Sequence, residues 1–286
     1  ELDIPAGSRL TGIRLQGNRQ KTFYKGIQEI KTQALEPRLL LKHKLLEVKA
    51  SLKTLRGRLV MDKEIWCSLH DKTFLPYTSQ FLWRAMHNAH RVGHCWMHIP
   101  EYQDRATCQY WSEEESLKHI LLYCKSPGAE IIRNTAERLW KERELNWPEV
   151  SLGSILGCGL VNFKNDMGRP SQSTRRLYKI LMLKSAYMIW IICNDWVISR
   201  SGEPLTEAEI IKKWIFNINQ RLQQDIMLAN RSTTRNHPRL VATLVKETWS
   251  GILDEDKLPE NWLKESRVLV GRKALTHNQL HIRGVG

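Results

Sequence analysis

The sequence lacks the marks of several large functional classes. It has no uninterrupted apolar run of about 20 residues, the length that spans a bilayer. Its most apolar stretch, Arg175 to Ser199, is broken by Lys179, Lys184 and Asp195 and reads as a buried core helix, so no membrane partner is expected. No apolar stretch follows Glu1-Leu2-Asp3, so no signal peptide is expected. The first residue is not Met, and a fragment of a longer chain is anticipated. Six cysteines, Cys67, Cys95, Cys108, Cys124, Cys158 and Cys193, are scattered through 286 residues. That spread excludes a small disulfide scaffold and fits free thiols in a reduced, intracellular setting, the nucleus included. No P-loop, G-x-G-x-x-G, G-x-S-x-G or H-E-x-x-H occurs, so the common nucleotide-binding, hydrolase and metalloprotease signatures are missing. Strand-like segments are few, and internal repeats and low-complexity tracts are absent. Acidic residues are scarce, 30 against 44 Lys and Arg.

What is present begins with that excess of positive charge, a net +14, which favours polyanionic partners. Residues 1–60 hold thirteen Lys/Arg against five Asp/Glu, so more than half of the net charge sits in the first fifth of the chain. Eleven tryptophans recur in helix-like segments, where they would fill a core.

The periodicity predicts a mostly α protein, an irregular helical bundle. Residues 1–19, with Pro5, Gly7, Gly12 and Gly17, read as a linker from an upstream domain. A helical region is expected over 20–148. Within it, Leu41, Leu45, Val48, Leu52 and Leu55 form one apolar stripe on a helix from about Arg38 to Arg56, with Gly57 as its stop. Lys42, Lys49, Lys53 and Arg56 lie off that stripe and are candidates for tracking a phosphate backbone. Residues 149–173 read as a surface connection and a soft boundary. A second helical region is expected over 174–252, with Thr206 capping a helix that carries Lys212, Lys213 and Arg221, further candidate nucleic-acid contacts. Pro238 is expected to open the last helix, before a tail over 253–286.

The most specific stretch is Phe81 to Cys124. Cys108, His119 and Cys124 are potential metal ligands. Structural zinc takes four Cys or His ligands, usually opening with a C-x2-C pair. Here the second member of that pair is Trp111, whose indole offers an N–H and no lone pair for a metal. The stretch reads as a degenerate zinc knuckle. The expectation is a vacated site with Trp111 packed over it as an apolar staple. Cys95, flanked by His94 and His98, is the nearest replacement ligand in sequence, and Cys67 is further away. No cofactor is therefore expected, zinc being the one candidate. His87, His90, His94 and His98 would line one face of a continuous helix, but Gly93 and Pro100 argue that the helix does not continue, so they are expected to serve surface or packing roles.

Phe81-Leu82-Trp83, Cys108, Glu115-Ser116, His119 and Cys124 together resemble the zinc-binding region near the end of non-LTR retrotransposon reverse transcriptases, with Trp111 as the departure. Flanking segments are similar to the tail that follows a type-1 ribonuclease H domain in fungal, mostly basidiomycete, element-derived proteins. They include Tyr24-Lys25-Gly26-Ile27, Ile155-Leu156-Gly157-Cys158-Gly159-Leu160, Thr248-Trp249-Ser250-Gly251 and Val268-Leu269-Val270-Gly271. The resemblance implies a non-catalytic region that binds or positions RNA, DNA or their hybrid for an upstream ribonuclease H or reverse transcriptase domain. Magnesium would belong to that domain, because the D-G-S-type strand carrying the family's first catalytic acid does not occur here. Two other readings stay open: a fragment of an active RNA–DNA hybrid ribonuclease, and a structural or protein-interaction domain.

Overall fold

The computed structural model describes residues 19–33, 38–143, 145–165, 167–199, 205–231, 240–253, 258, 261–264 and 268–271. The fold is mostly α. Among the described residues there is no strand, and three isolated bridges join Thr107 to Glu114, Lys164 to Pro170 and Leu253 to Val270. The linker through residue 18, Pro238 and most of the tail lie outside the described residues; the last helix begins at Ala242, after non-helical Leu240 and Val241, rather than at Pro238.

The chain divides into two compact units, Glu1–His43 and Lys44–Gly286. The first contains α1 (Gln20–Gln33) and the opening residues of α2 (Leu39–Arg56). The second contains the rest of α2 and then α3 (Asp62–Ser68), α4 (Pro76–Met86), α5 (His94–Met97), α6 (Pro127–Lys141), α7 (Leu152–Leu156), α8 (Gln172–Ser199), α9 (Glu207–Asn230) and α10 (Ala242–Trp249). Leu45, Val48 and Leu52 of the α2 stripe are buried, and Gly57, at φ +69°, takes the left-handed conformation that closes a helix at little cost for glycine.

Helix α8 is the axis of the second unit. Its 28 residues extend about 42 Å and pack against α4, α6, α7, α9 and α10. It is long and apolar enough to cross a membrane by composition, yet half of its apolar window is buried inside the protein. Most of the charged groups it buries are partnered, as a dry interior favours, while Tyr178 Oη is buried without a hydrogen-bond partner. Lys179 donates to Asp71, and Lys184 donates to Tyr77 Oη at 2.6 Å. Ser185 Oγ accepts from Trp214 Nε1 at 3.0 Å. Arg176 grips Asp225 of α9 with both Nη atoms, at 2.6 and 2.7 Å. Asp225 is fully buried and also takes Arg221 Nη2 at 3.2 Å and Trp249 Nε1 of α10 at 2.9 Å. One carboxylate thus ties three helices together.

The first half of the segment expected to be a surface connection is instead interior, while residues 162, 164, 165 and 167–170 are exposed. Residues 152–159 are buried in α7 and a following single 3-10 turn, and the helices on both sides belong to the same compact unit. Gly and Pro signal chain direction changes, but Leu152, Ile155, Leu156 and Val161 bring enough apolar surface to be covered. Trp140 of α6 meets Trp147, Phe163 and Tyr178 at ring separations of 5.5, 5.1 and 5.7 Å, so the connection supplies one wall of an aromatic core through Phe163. Helix α7 starts on a reciprocal serine cap, with Ser154 N donating to Ser151 Oγ and Ser151 N to Ser154 Oγ.

That start lies against α2 with no room to spare. A Cβ on Gly153 would fall 2.3 Å from Ser51 Oγ and 2.5 Å from the backbone oxygen of Glu47. Alanine is favoured over glycine in a helix by about 1 kcal/mol, but a backbone atom cannot rotate away. Gly153→Ala is therefore expected to destabilise the protein by about 1–3 kcal/mol, read by urea denaturation. A gain in stability would show that α2 and α7 part easily.

Candidate metal centre

The first part of the site is a tight loop. Glu115 N donates to Ala106 O, Cys108 N to Glu113 O, and Ser112 N to Cys108 O, each at 2.8 Å. Ser112 takes φ 52° to complete the turn, which presents Cys108 inward. Gly93 clamps the loop from outside: a Cβ there would lie 2.1 Å from Glu115 O, and its own φ is +50°.

The second part is a helix of unusual pitch. Five residues along an α-helix rotate by about 500°, leaving two side chains about 140° apart, so His119 and Cys124 would not share a face. The chain solves this with a π turn over His119–Tyr123, in which Cys124 N donates to His119 O at 2.8 Å. Residues five apart are then stacked. Arg133 of α6 supports the turn by donating to Leu121 O at 3.0 Å, one of the carbonyls that a helix end leaves unpaired. Single π turns recur at functional sites.

The loop and the π turn bring Cys108, His119 and Cys124 together. All three are buried, and their ligand atoms lie within 4.8 Å of one another. The two sulfurs are 3.9 Å apart. Two thiolates at 2.3 Å from a tetrahedral zinc would stand about 3.8 Å apart, so the donor set fits that ion in kind and spacing. Burial pushes the Cys108 thiol up to about 11, with Cys124 and Glu115 beside it adding to the effect against an opposing backbone hydrogen bond at Tyr110. Burial also lowers the His119 pKa, favouring the neutral imidazole that binds metals. Glu115 is buried, and burial alone pushes its carboxyl up to about 7. Its Oε1 and the Nε2 of His119 are buried without hydrogen-bond partners and face each other at 3.9 Å.

No family model, curated protein or solved structure matches the chain.

Trp111 stands edge-on to His119 at 6.2 Å and remains 38% exposed. It is a half-covered ring rather than the buried staple expected, and Lys125 Nζ lies 4.6 Å from its centroid. Cys95 does not act as a replacement ligand in this geometry. It is exposed on α5 and stands outside the converging group, because α5 is held against the outer side of the loop through Gly93. The four histidines do not form one stripe, since α4 ends at Met86 and α5 begins at His94. His90 is packed against Phe81 and Trp190, while His94 and His98 pair with each other at 3.2 Å. Half-buried Cys193 of α8 was read from the sequence only as one of six free thiols, not as a neighbour of this group. Its thiol is raised by burial and then by Glu115, Cys124 and Cys108, which places it near the group. A lone cysteine in an apolar helix carries no sequence signal of that proximity.

The candidate nucleic-acid contacts divide. Lys42, Lys53, Lys212 and Lys213 are exposed. Lys49 is paired with Asp62 at 2.6 Å. Arg56 is half-buried, and its Nε and Nη1 are enclosed without partners; burial and neighbouring Arg58 lower its pKa. Arg221 is a correction: it is buried against Asp225 and cannot meet a phosphate backbone. The charge pattern on α9 reads the same for a solvated cation and for one whose counter-ion sits one turn away.

Proposed function

We propose that this chain is a zinc-stapled helical region that binds nucleic acid without carrying out chemistry on it, as the zinc-binding region of retroelement reverse transcriptases that it resembles would. The convergence of Cys108, His119 and Cys124 carries the proposal: three buried ligand-type side chains gather on a loop and a π turn that have no other evident use. The zinc would hold the loop to α6 and α8 and fix the surface around it. That surface offers exposed rings beside cations. Lys125 lies over Trp111 and Lys118 over Tyr123. Such pairs suit bases that stack and phosphates that need neutralising. Exposed Lys53, Lys212 and Lys213 add to the excess of positive charge.

The test is binding of a single-stranded RNA, a duplex DNA and an RNA–DNA hybrid to zinc-loaded protein over a range of salt. Affinity should fall with salt at a log–log slope of about −0.7 to −0.9 per neutralised phosphate. Replacing Lys53, Lys212 and Lys213 by Gln should weaken binding to all sequences alike and flatten the slope, because phosphate contacts carry no base information. Salt-independent binding, or none to any of the three, would overturn the nucleic-acid role and favour a protein-interaction domain.

A further inference from the structure

We propose that Glu115 supplies the fourth ligand of the zinc centre, in the place left vacant by Trp111. The assignment rests on the zinc role proposed above and goes beyond it in naming the ligand set as two thiolates, one imidazole and one carboxylate. A structural zinc site is closed by four protein ligands, and the described group offers three. Glu115 is 8% exposed and His119 6%, so neither side chain is solvated. Glu115 Oε1 and His119 Nε2 both lack a hydrogen-bond partner and stand 3.9 Å apart. An oxygen and a nitrogen bound to one tetrahedral zinc would be about 3.4 Å apart, within the reach of a small side-chain adjustment. An unpartnered buried carboxylate is costly, and a cation between it and the imidazole removes that cost for both groups. Sequence geometry supports the placement. Glu115 closes the loop that carries Cys108, through its N–H to Ala106 O, and stands one helical turn before His119. Cys193 is the competing donor; neither its sulfur nor the Glu115 carboxylate is among the atoms that converge within 4.8 Å, and Glu115 is favoured because its unpartnered Oε1 already stands 3.9 Å from His119 Nε2.

The full chain is purified, stripped, and titrated with zinc and with cobalt(II) as a spectroscopic substitute, and the zinc form is studied by X-ray absorption. Two sulfur and two nitrogen or oxygen neighbours are expected. Glu115→Ala and Glu115→Gln should both lower zinc affinity by more than 100-fold, beyond the roughly 10–100-fold typical of losing an outer-shell partner. Cys193→Ser should leave affinity unchanged. The absorption measurement needs no variant, so it decides even if a substitution prevents folding. Three sulfur neighbours together with loss of affinity in Cys193→Ser would overturn the assignment in favour of Cys193. Wild-type affinity in Glu115→Gln would also overturn it, because an amide oxygen can still accept from the imidazole N–H while replacing a carboxylate ligand poorly. A wild-type chain that takes up no zinc would fail differently, by removing the metal role itself.

Discussion

Asp225→Ala is expected to lower stability by about 3–5 kcal/mol, the cost of breaking a buried ion pair by removing one partner. The loss should sit at the upper end, because two guanidiniums, Arg176 and Arg221, lose their shared carboxylate and Trp249 Nε1 loses its acceptor. Neither arginine can turn to solvent, since both are buried within α8 and α9. At about 2–4 °C per kcal/mol for a unit of this size, the melting temperature should drop by about 6–20 °C. Against a total stability of about 5–15 kcal/mol, the variant would be close to unfolding at physiological temperature. Replacing the whole set, with Asp225→Leu, Arg176→Met and Arg221→Met together, should recover much of the loss, because the charges that need one another are then absent. Thermal and urea melts of the two variants provide the check. A loss under about 1 kcal/mol in Asp225→Ala, the range of an exposed pair, would show that water reaches this network.

Trp140→Ala is expected to cost about 3–5 kcal/mol, the usual range for emptying a large aromatic site. Trp140 is fully buried among Trp147, Phe163 and Tyr178, and its Nε1 donates to Asn146 O at 3.1 Å. The surrounding rings come from the segment after α6, the connection and α8, so they cannot collapse together without moving separate elements. Trp140→Phe keeps most of the apolar contact and loses one hydrogen bond of about 1 kcal/mol, with a small void; it should be the milder variant. Urea denaturation of the pair gives the comparison. Equal, small losses in both would show that α6 is not held to α8 through this cluster.

Helix positions were largely legible in the sequence because they follow from periodicity and caps. The α2 leucines, Thr206 before α9 and Gly57 after α2 each act within one or two turns. The burial of residues 152–159 was not legible, since Gly and Pro residues look alike on a surface loop and in a tight interior crossing such as Gly153 against Glu47. Arg221 was misread for a related reason: its counter-ion Asp225 was visible in sequence, but its burial depends on α8 and α10. At the candidate metal centre, Cys108, His119 and Cys124 were legible by residue type, but the π turn that brings His119 and Cys124 together was not. Glu115 was visible only as part of an acidic run at a helix start, and its isolation from solvent is a tertiary fact. The retroelement relationship remains a resemblance carried by those motifs.

The π turn at His119–Tyr123 changes what kind of mutation can make or unmake this centre. A π turn holds one residue more than the α turn it replaces, so the segment is equivalent to an α-helix that has absorbed a single-residue insertion. Substitutions alone cannot bring positions five apart onto one face of a regular α-helix, whereas one inserted codon can. The centre is thus open to gain and loss by frame-preserving insertion and deletion, a route along which Cys108, His119 and Cys124 could all stay in place in the alignment of types while ceasing to meet in space.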